Sequence, residues 1–551
     1  MAELTQYREC SARERVILRS LCLVAVVVGL VLRVAIIGGK SPWEDECWTV
    51  WRTDKPTLRA VLLDLRDSPF PPLHYVIVWF IRQLSDDNSI ATIRLASVIM
   101  GTAAIPLTFV IWRRLLSAPA ICWTTSLVAL NSFHIWYSRD AKMYAGIWLF
   151  SMVSCGAYLW CLYGKPRARD YVLLAVSNCC LLLTSYVGVG AIMIQAIHGV
   201  SAYCTTRRLR KSCLYCAFWM MFAAFPVTLW LPYAASAVKN KTGISWVPQV
   251  TSESVIIDTY HYAALVFTGF SLVNYTPLDD RGILLLESVF LVVVSTCVTI
   301  ASYVVDNTRR GRESRMEVCD EWNRSQSWST FEHPEVIRFL LLWALLPPTG
   351  AILFSWLGYS VWGVPRYLMA AAPAPVILTG ICLAGSRRRL WGAIVGSGLI
   401  AINMAAQAFV WTAVTRVPWN EVAAVIDQAS ETYTELTSSP ENRPIIACLG
   451  IDPVRFDINS LKFQLESKSN QYDGSVVDLF ESTTARDASA LLVLLQSDDR
   501  TDTTSQSEII RFLPQYECVI LYQIHSYEEV YSRLPAPLRR LTTEVWFCRK
   551  K

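Results

Sequence analysis

Apolar runs of membrane-crossing length recur along most of this chain, and the cations between them come in groups. A helix needs about 20 apolar residues to cross a bilayer core of roughly 30 Å. Inside that core only helices and closed barrels satisfy their own backbone groups. The runs lie near residues 17–38, 91–112, 118–136, 143–163 and 171–186, in a sixth ending at Arg207, and near 214–233, 282–304, 336–357, 367–384 and 390–414. Every even-numbered run closes on a basic cluster: Arg113-Arg114, KPRARD at 165–170 after the fourth, Arg207 to Lys211, RRGRESR at 309–315, and Arg387 to Arg389. Cations gather on cytoplasmic loops. Eleven spans, a cytoplasmic N-terminus and an outside C-terminus satisfy that rule, whereas one span more or fewer puts clusters on both sides. The first run follows Arg8, Arg13, Arg15 and Arg19 and lacks a small-residue cleavage site, so it reads as a retained signal anchor. Composition agrees: 53% of residues are hydrophobic and 17% charged, against the ~25% charged usual in soluble domains. A net charge of +5 spread over such loops gives no reason to expect a nucleic-acid partner.

The first outer loop, 38–90, holds the acidic cluster Glu44-Asp45-Glu46 directly after the first span. Two amphipathic pieces follow. The second, from Pro71 to about Leu84, is too short to span and is expected to lie along the interface, with Tyr75 and Trp79 at headgroup depth. Carboxylates where lipid meets water suit an enzyme with one lipid-borne and one polar substrate. The competing reading is a hydrophilic loop with solvated acids, favourable in a helix's first turn.

The segment YSRDAKMY, 137–144, places Arg139, Asp140 and Lys142 between Tyr137 and Tyr144 in an outer turn, and Arg366 lies in the last outer turn. A compact ammonium and a forked guanidinium both suit phosphate. The alternative is snorkelling cations among aromatic anchors. Arg33 and Arg94 lie just inside the outer ends of their spans, where a cation is expensive and faces the protein interior. For them, pairing with the acids of the first loop stands beside a part in the site. His134, His198 and His261 are scattered, and Cys213 and Cys216 lack partners at zinc spacing. No metal site is expected.

From about Pro418 the chain turns polar. RPIIACLG, SALLVLLQS, ECVILYQI and TEVWFCRK read as strands, with helical patterns at 420–436 and 507–512. Alternation of the two predicts a small α/β domain over 418–551. Cys518 and Cys548 could meet there on neighbouring strands. No glycine-rich phosphate loop follows a strand, and a packing or recognition role is the reading left for this domain.

The Asp45-Glu46 pair, then SPFPPLHYVIVWFIRQLSDDNSIATIRLASVIMGTAAIPL, then HIWYSRDAKMYA, together resemble the lipid-linked-sugar glycosyltransferases of the GT-C superfamily. The likeness is to the group of protein O-mannosyltransferases and the aminoarabinose transferase, and VPRYLMAAAPAP at 364–375 is a weaker echo. The resemblance implies an α-helical polytopic membrane protein, with a GT-C-like transmembrane domain over 1–417 whose first outer loop carries the active site, and 418–551 as an extracytoplasmic domain. It implies transfer of a sugar from a polyprenyl phosphate to a hydroxyl of a glycan, lipid or protein, with inversion, in a bacterial inner membrane. It assigns Asp45 as base and Glu46 as an orienting partner. Lys142, Arg139, Asp140, Tyr144, Arg366 and Arg94 become substrate-binding residues, with no cofactor required, though carboxylates near phosphate could recruit a divalent cation. Phe70 stands where many relatives have His, Lys142 where Arg is usual, and Arg139-Asp140 where Gln-Glu is common. Two other readings of the same chain are a transporter or flippase of lipid-linked sugars, and a membrane-anchored sensor or assembly protein working through 418–551.

Overall fold

The computed structural model describes residues 12–239, 250–269 and 334–412 apart from a few positions in turns, a few helical positions elsewhere, and five strands beyond residue 444. Helices carry all of the apolar part that is described. α1 is Ala12–Val34, and three short helices follow in the first outer loop: α2 (Glu44–Thr53), α3 (Leu58–Asp64) and α4 (Leu73–Ser85). Then come α5 (Ile90–Trp112), α6 (Ala118–Leu130), α7 (Ser132–Ser138), α8 (Tyr144–Tyr163), α9 (Ala168–Thr184), α10 (Val189–Thr205) and α11 (Arg210–Thr228). α12 (Leu231–Lys239) and α13 (Ser252–Thr268) precede α14 (Pro334–Trp356), α15 (Pro373–Gly385) and α16 (Arg389–Thr412). Among the described residues, five helices are long and apolar enough to cross a membrane, at 90–112, 144–163, 186–205, 335–356 and 390–408. The eighth apolar run, 282–304, and the polar loop after it lie outside the described residues apart from isolated positions.

Expected as one helix over 118–136, the third run is broken at Asn131, where α6 ends and α7 begins. A break at membrane depth frees carbonyls that water cannot reach, so the protein itself must bond them. Arg33 supplies the donors. Its guanidinium reaches the carbonyls of Ala129 at 2.9 Å, Val128 at 3.2 Å and Gly29 at 2.8 Å, and lies 2.9 Å from His134 Nδ1. The Asn131 amide oxygen accepts from the His134 N–H at 2.8 Å, capping α7, and its NH2 donates to the Val266 carbonyl at 2.7 Å. Among the described residues Arg33 pairs with no first-loop acid, and its guanidinium clamps the backbone of the kink. Gly101 in α5 permits this closeness, since a methyl group there would collide with Ser138.

Deeper in the bundle, α8, α9 and α10 share a buried polar knot. Ser154 Oγ donates to Asn178 Oδ1 at 2.5 Å, Asn178 Nδ2 to Gln195 Oε1 at 3.1 Å, and Gln195 Nε2 to Ser154 Oγ at 2.5 Å. In lipid, where apolar faces gain little by meeting, such interhelical bonds fix which helices pair.

Beyond the helices lies a five-stranded sheet of β1 (Ile445–Gly450), β2 (Val476–Asp478), β3 (Ala490–Asp498), β4 (Tyr516–Tyr527) and β5 (Arg540–Lys550). Its order is β2-β1-β3-β5-β4. β1 pairs parallel with β2 and β3, whereas β5 runs antiparallel to β3 and β4. The register sets Cys518 opposite Cys548, as neighbouring strands allow. Residues 422, 424–426 and 428–429 are helical, within the helix expected at 420–436, and 507–512 lies outside the described residues.

The clamp makes a prediction about stability. Arg33→Met keeps length and apolar stem but leaves the Val128 and Ala129 carbonyls without this donor, at about 1–3 kcal/mol each. Purified protein should lose several degrees of melting temperature in detergent, with α6 and α7 the first to gain amide exchange. An unchanged melting curve would mean the kink does not depend on Arg33.

Candidate active site

The first outer loop folds as a cradle. Thr57 Oγ1 accepts from the Ala60 N–H at 3.2 Å and starts α3, and Pro71-Pro72 leads into α4, a helix with one apolar face. Arg82 of α4 donates to the Val50 carbonyl at 3.0 Å and to Asp54 at 2.8 Å. Trp79 Nε1 donates to the Lys55 carbonyl at 2.9 Å, and Asp64 meets both Arg52 and Lys55 at 3.3 Å. α4 is thereby tied to α2, and its inner face is turned to the protein. Tyr75, expected at headgroup depth, is instead 1% exposed. It packs with Val61, Leu65 and Phe70 and with Trp230 from the turn before α12.

Glu46 joins this cradle to the bundle. Its carboxylate takes Arg94 Nε and Nη2, each at 2.8 Å, in a forked pair whose side chains are 0% and 2% exposed. It also accepts the Ala141 N–H at 2.8 Å and the N–H of Trp43, just before α2, at 3.3 Å. Arg94 Nη1 goes on to the carbonyls of Ile37 at 2.7 Å and Lys40 at 2.9 Å. Of the two readings given for Arg94, the structure shows the pairing with a first-loop acid, Glu46, together with bonds to the end of the first span. Glu46, expected beside the base, faces into protein on all these contacts. A carboxylate so fully engaged orients its neighbours, whereas a base needs an open lone pair.

On one side of Glu46 in the chain, Asp45 keeps 28% of its side chain exposed. Arg366 faces it, with Nη2 3.8 Å from Asp45 Oδ2. That arginine comes from the turn Pro365–Leu368, which follows Gly363 at φ +89°, a left-handed conformation that favours glycine. The guanidinium lies 5.0 Å from the Trp43 ring and 5.9 Å from Tyr367. Asp45 and Arg366 both act electrostatically on the Tyr144 hydroxyl, and the Tyr144 ring lies edge-on to Tyr137 at 4.9 Å.

On the other side lies Lys142, one residue beyond the N–H that Glu46 holds. It is 1% exposed, which rules out snorkelling. Its ammonium sits over Phe70 at 5.2 Å and Tyr75 at 5.8 Å, and among the described residues it makes no ion pair. Ser97 Oγ donates to its carbonyl at 2.8 Å, and its own N–H donates to the Asp140 carbonyl at 2.7 Å. Asp140 is buried in the same turn. Arg139 points the other way, to Gln407 of α16 at 3.1 Å. The structure thus gathers Asp45, Arg366, Tyr144 and Lys142 around the Glu46 junction, while Arg139 bonds Gln407 of α16. Among the described residues, no group of three or more His, Cys, Asp or Glu side chains could hold a metal ion.

His74 was not legible as part of this site. It is 1% exposed on the inner face of α4, beside Lys142. Burial, and then the charge of Lys142, pull its pKa down to about 3, against a smaller opposing pull from the Ala141 carbonyl. The ring is therefore uncharged at neutral pH. Its one sequence signal is a polar residue on the apolar stripe of an amphipathic helix.

No family model matches the chain, and no curated protein matches it. Solved structures do. The apo crystal structure of ArnT from Cupriavidus metallidurans aligns with a TM-score of 0.52 at 13% identity, over 96% of this chain and 98% of that one. AglB from Archaeoglobus fulgidus, an archaeal oligosaccharyltransferase in complex with an inhibitory peptide and a dolichol-phosphate, aligns with a TM-score of 0.51 at 11% identity, over 90% of this chain and 70% of that one. Both are GT-C glycosyltransferases. This chain has the GT-C fold. The likeness runs through nearly the whole chain.

The Glu46–Arg94 junction generates a double-mutant test. Removing one partner strands the other charge in a buried place, at a cost of about 3–5 kcal/mol. Glu46→Leu and Arg94→Met should each destabilise the protein strongly, while the double variant, with no buried charge, should recover part of the loss. Melting of the four purified proteins checks this, and strictly additive losses would show that the pair is not coupled.

Proposed function

We propose that the chain is an integral membrane glycosyltransferase that moves a sugar from a polyprenyl phosphate to an acceptor hydroxyl, with inversion, at the outer or lumenal face. The observation that carries this reading is one open carboxylate, Asp45, beside the buried cation Arg366, with a second buried cation, Lys142, set off the same Glu46 junction. In the proposed step the acceptor O–H gives its proton to Asp45 as its oxygen bonds to the anomeric carbon. The bond from that carbon to the phosphate oxygen breaks, and its electron pair leaves with polyprenyl phosphate. A phosphate leaving group needs little protonation, and fixed cations in a dry site stabilise its growing charge. Lys142 as a point charge and Arg366 as a fork fill that role, with Arg366 close enough to Asp45 to orient it. Glu46 and Arg94 position these groups. Support from outside the chain is the fold it shares with ArnT and with AglB, the latter seen with a dolichol-phosphate.

The grouping of basic residues after alternate runs supports a cytoplasmic N-terminus, with the domain 418–551 outside. A bacterial inner membrane is the setting this orientation suits, and the acceptor is a glycan, lipid or protein. The same reading leaves the α/β domain a packing or recognition role toward that acceptor.

Asp45→Asn keeps shape and hydrogen bonding but removes the basicity, so it should lower transfer about 10²–10⁴-fold with donor KM little changed. Sugar release from a synthetic polyprenyl-phosphate sugar, with cell-envelope extract as acceptor, is the assay. Once wild type is active there, full activity of a folded Asp45→Asn protein would remove Asp45 from the mechanism. Lys142→Ala should raise donor KM and lower kcat, whereas Lys142→Arg should keep most activity because the charge remains. Donor kinetics unchanged in a stable Lys142→Ala protein would leave Lys142 a packing residue.

A further inference from the structure

Lys142 does not stand alone in its pocket. His74 and Tyr75 are successive residues of α4, both 1% exposed, with rings edge-on at 5.9 Å. Neither ring nitrogen of His74 nor the Tyr75 hydroxyl makes a hydrogen bond among the described residues. The Ala141 carbonyl lies near the imidazole without bonding geometry. Buried polar groups are bonded in the great majority of cases, and each exception asks for an explanation. Three such atoms beside one buried ammonium, on a helix clamped in place by Arg82, form a cluster without hydrogen-bond partners among the described residues.

The chemistry of the cluster narrows the ligand. A second cation beside Lys142 would repel it, and an acid would neutralise it. A neutral imidazole does neither, and offers one N–H donor and one acceptor nitrogen. The tyrosine hydroxyl adds a donor that can rotate. One fixed positive charge with two neutral donors matches the oxygens of a phosphate, and the spare imidazole nitrogen can accept from a hydroxyl carried next to it. The surrounding Phe70, Val61, Leu65 and Trp230 are apolar, which suits an anion that arrives on a hydrocarbon chain.

We infer that His74 and Tyr75 are uncharged donor-binding residues, hydrogen-bonding the phosphate of the polyprenyl phosphate that Lys142 holds. This rests on the donor reading proposed above and adds two residues to it. Both are binding groups, and neither takes part in proton transfer to or from the acceptor.

The test is binding without turnover. Purified full-length protein in detergent is titrated with a long-chain polyprenyl phosphate, and separately with the matching polyprenol lacking the phosphate. His74→Phe keeps a flat ring but no nitrogen, and should weaken polyprenyl-phosphate binding about tenfold. Tyr75→Phe should weaken it about threefold or more, each being the loss of a buried hydrogen bond. His74→Gln, which restores a donor and an acceptor, should come back to within about threefold of wild type. Polyprenol binding should be the same in all four proteins. Wild-type affinity for polyprenyl phosphate in both phenylalanine variants would overturn the inference, as would equal losses for polyprenol, which would mark a packing effect only. Should His74→Phe fail to fold by its melting curve, Tyr75→Phe and His74→Gln decide the matter on the same criteria. If wild type itself binds polyprenyl phosphate no better than polyprenol, the donor reading falls and this inference falls with it.

Discussion

The site depends on one buried ion pair. Glu46 and Arg94 close a bidentate contact at 2.8 Å out of reach of solvent, and every other part of the site is measured from it. Through Trp43 it sets the start of α2, through Ala141 the turn before α8, and through Ile37 and Lys40 the exit of the first span. The stretch 37–46, α5 through Arg94, and the turn before α8 are thereby locked at one point. A buried pair is weak evidence of net stability, because desolvation offsets much of the Coulomb attraction. Its use here is specificity. Only one arrangement of loop and turn satisfies both ions, and that arrangement faces Asp45 to Arg366 and sends Lys142 into the pocket under α4.

The cations illustrate how buried positive charge takes three fates in a single membrane protein. Arg33 bonds backbone carbonyls at a kink, Arg94 neutralises an acid, and Lys142 is left against aromatic faces. The difference lies in what each can reach. A guanidinium forks, so Arg33 and Arg94 each satisfy several acceptors in a plane. An ammonium is a compact charge, and over ring faces it gains cation–π attraction without surrendering its hydrogen-bond donors. Such a group stays available to an anion, and the other two do not.

That the apolar part is helical and membrane-spanning was legible because it is written in composition and order. Runs of about twenty apolar residues can do little else, and α4 falls where the second amphipathic piece of the first loop was expected. The division of labour within the site was not legible. Asp45 and Glu46 are adjacent and chemically alike, and only the partner 48 positions away decides which is open. Likewise the kink at Asn131 has a faint trace, a lone Asn-Ser step in an apolar run, while its clamp lies on a helix 98 residues earlier. Tyr75 was placed at the lipid headgroups because an aromatic residue on a short amphipathic helix fits either face. The burial of α4 against α2 and α5 turns it inward. Long-range pairing is invisible to local pattern, and it is long-range pairing that sorts these residues.

The same logic bears on how the site can keep a charged lipid headgroup at the edge of the hydrocarbon. An anion there needs compensation at once, and a flexible surface lysine would supply it only after paying the entropy of ordering its side chain. Lys142 is ordered beforehand. Its backbone is held by Ser97 and by the Asp140 carbonyl, and its charge is fixed over two rings. Two acids of the site are committed elsewhere, since Glu46 is engaged by Arg94 and Asp45 is turned toward Arg366. Two cations in different settings then divide the demand. In the transfer proposed above, Arg366, near the open carboxylate, holds the reacting end, and Lys142, the more buried of the two, holds the leaving phosphate. On that reading a low dielectric strengthens the second contact, so the stronger hold falls where charge accumulates as the glycosidic bond breaks.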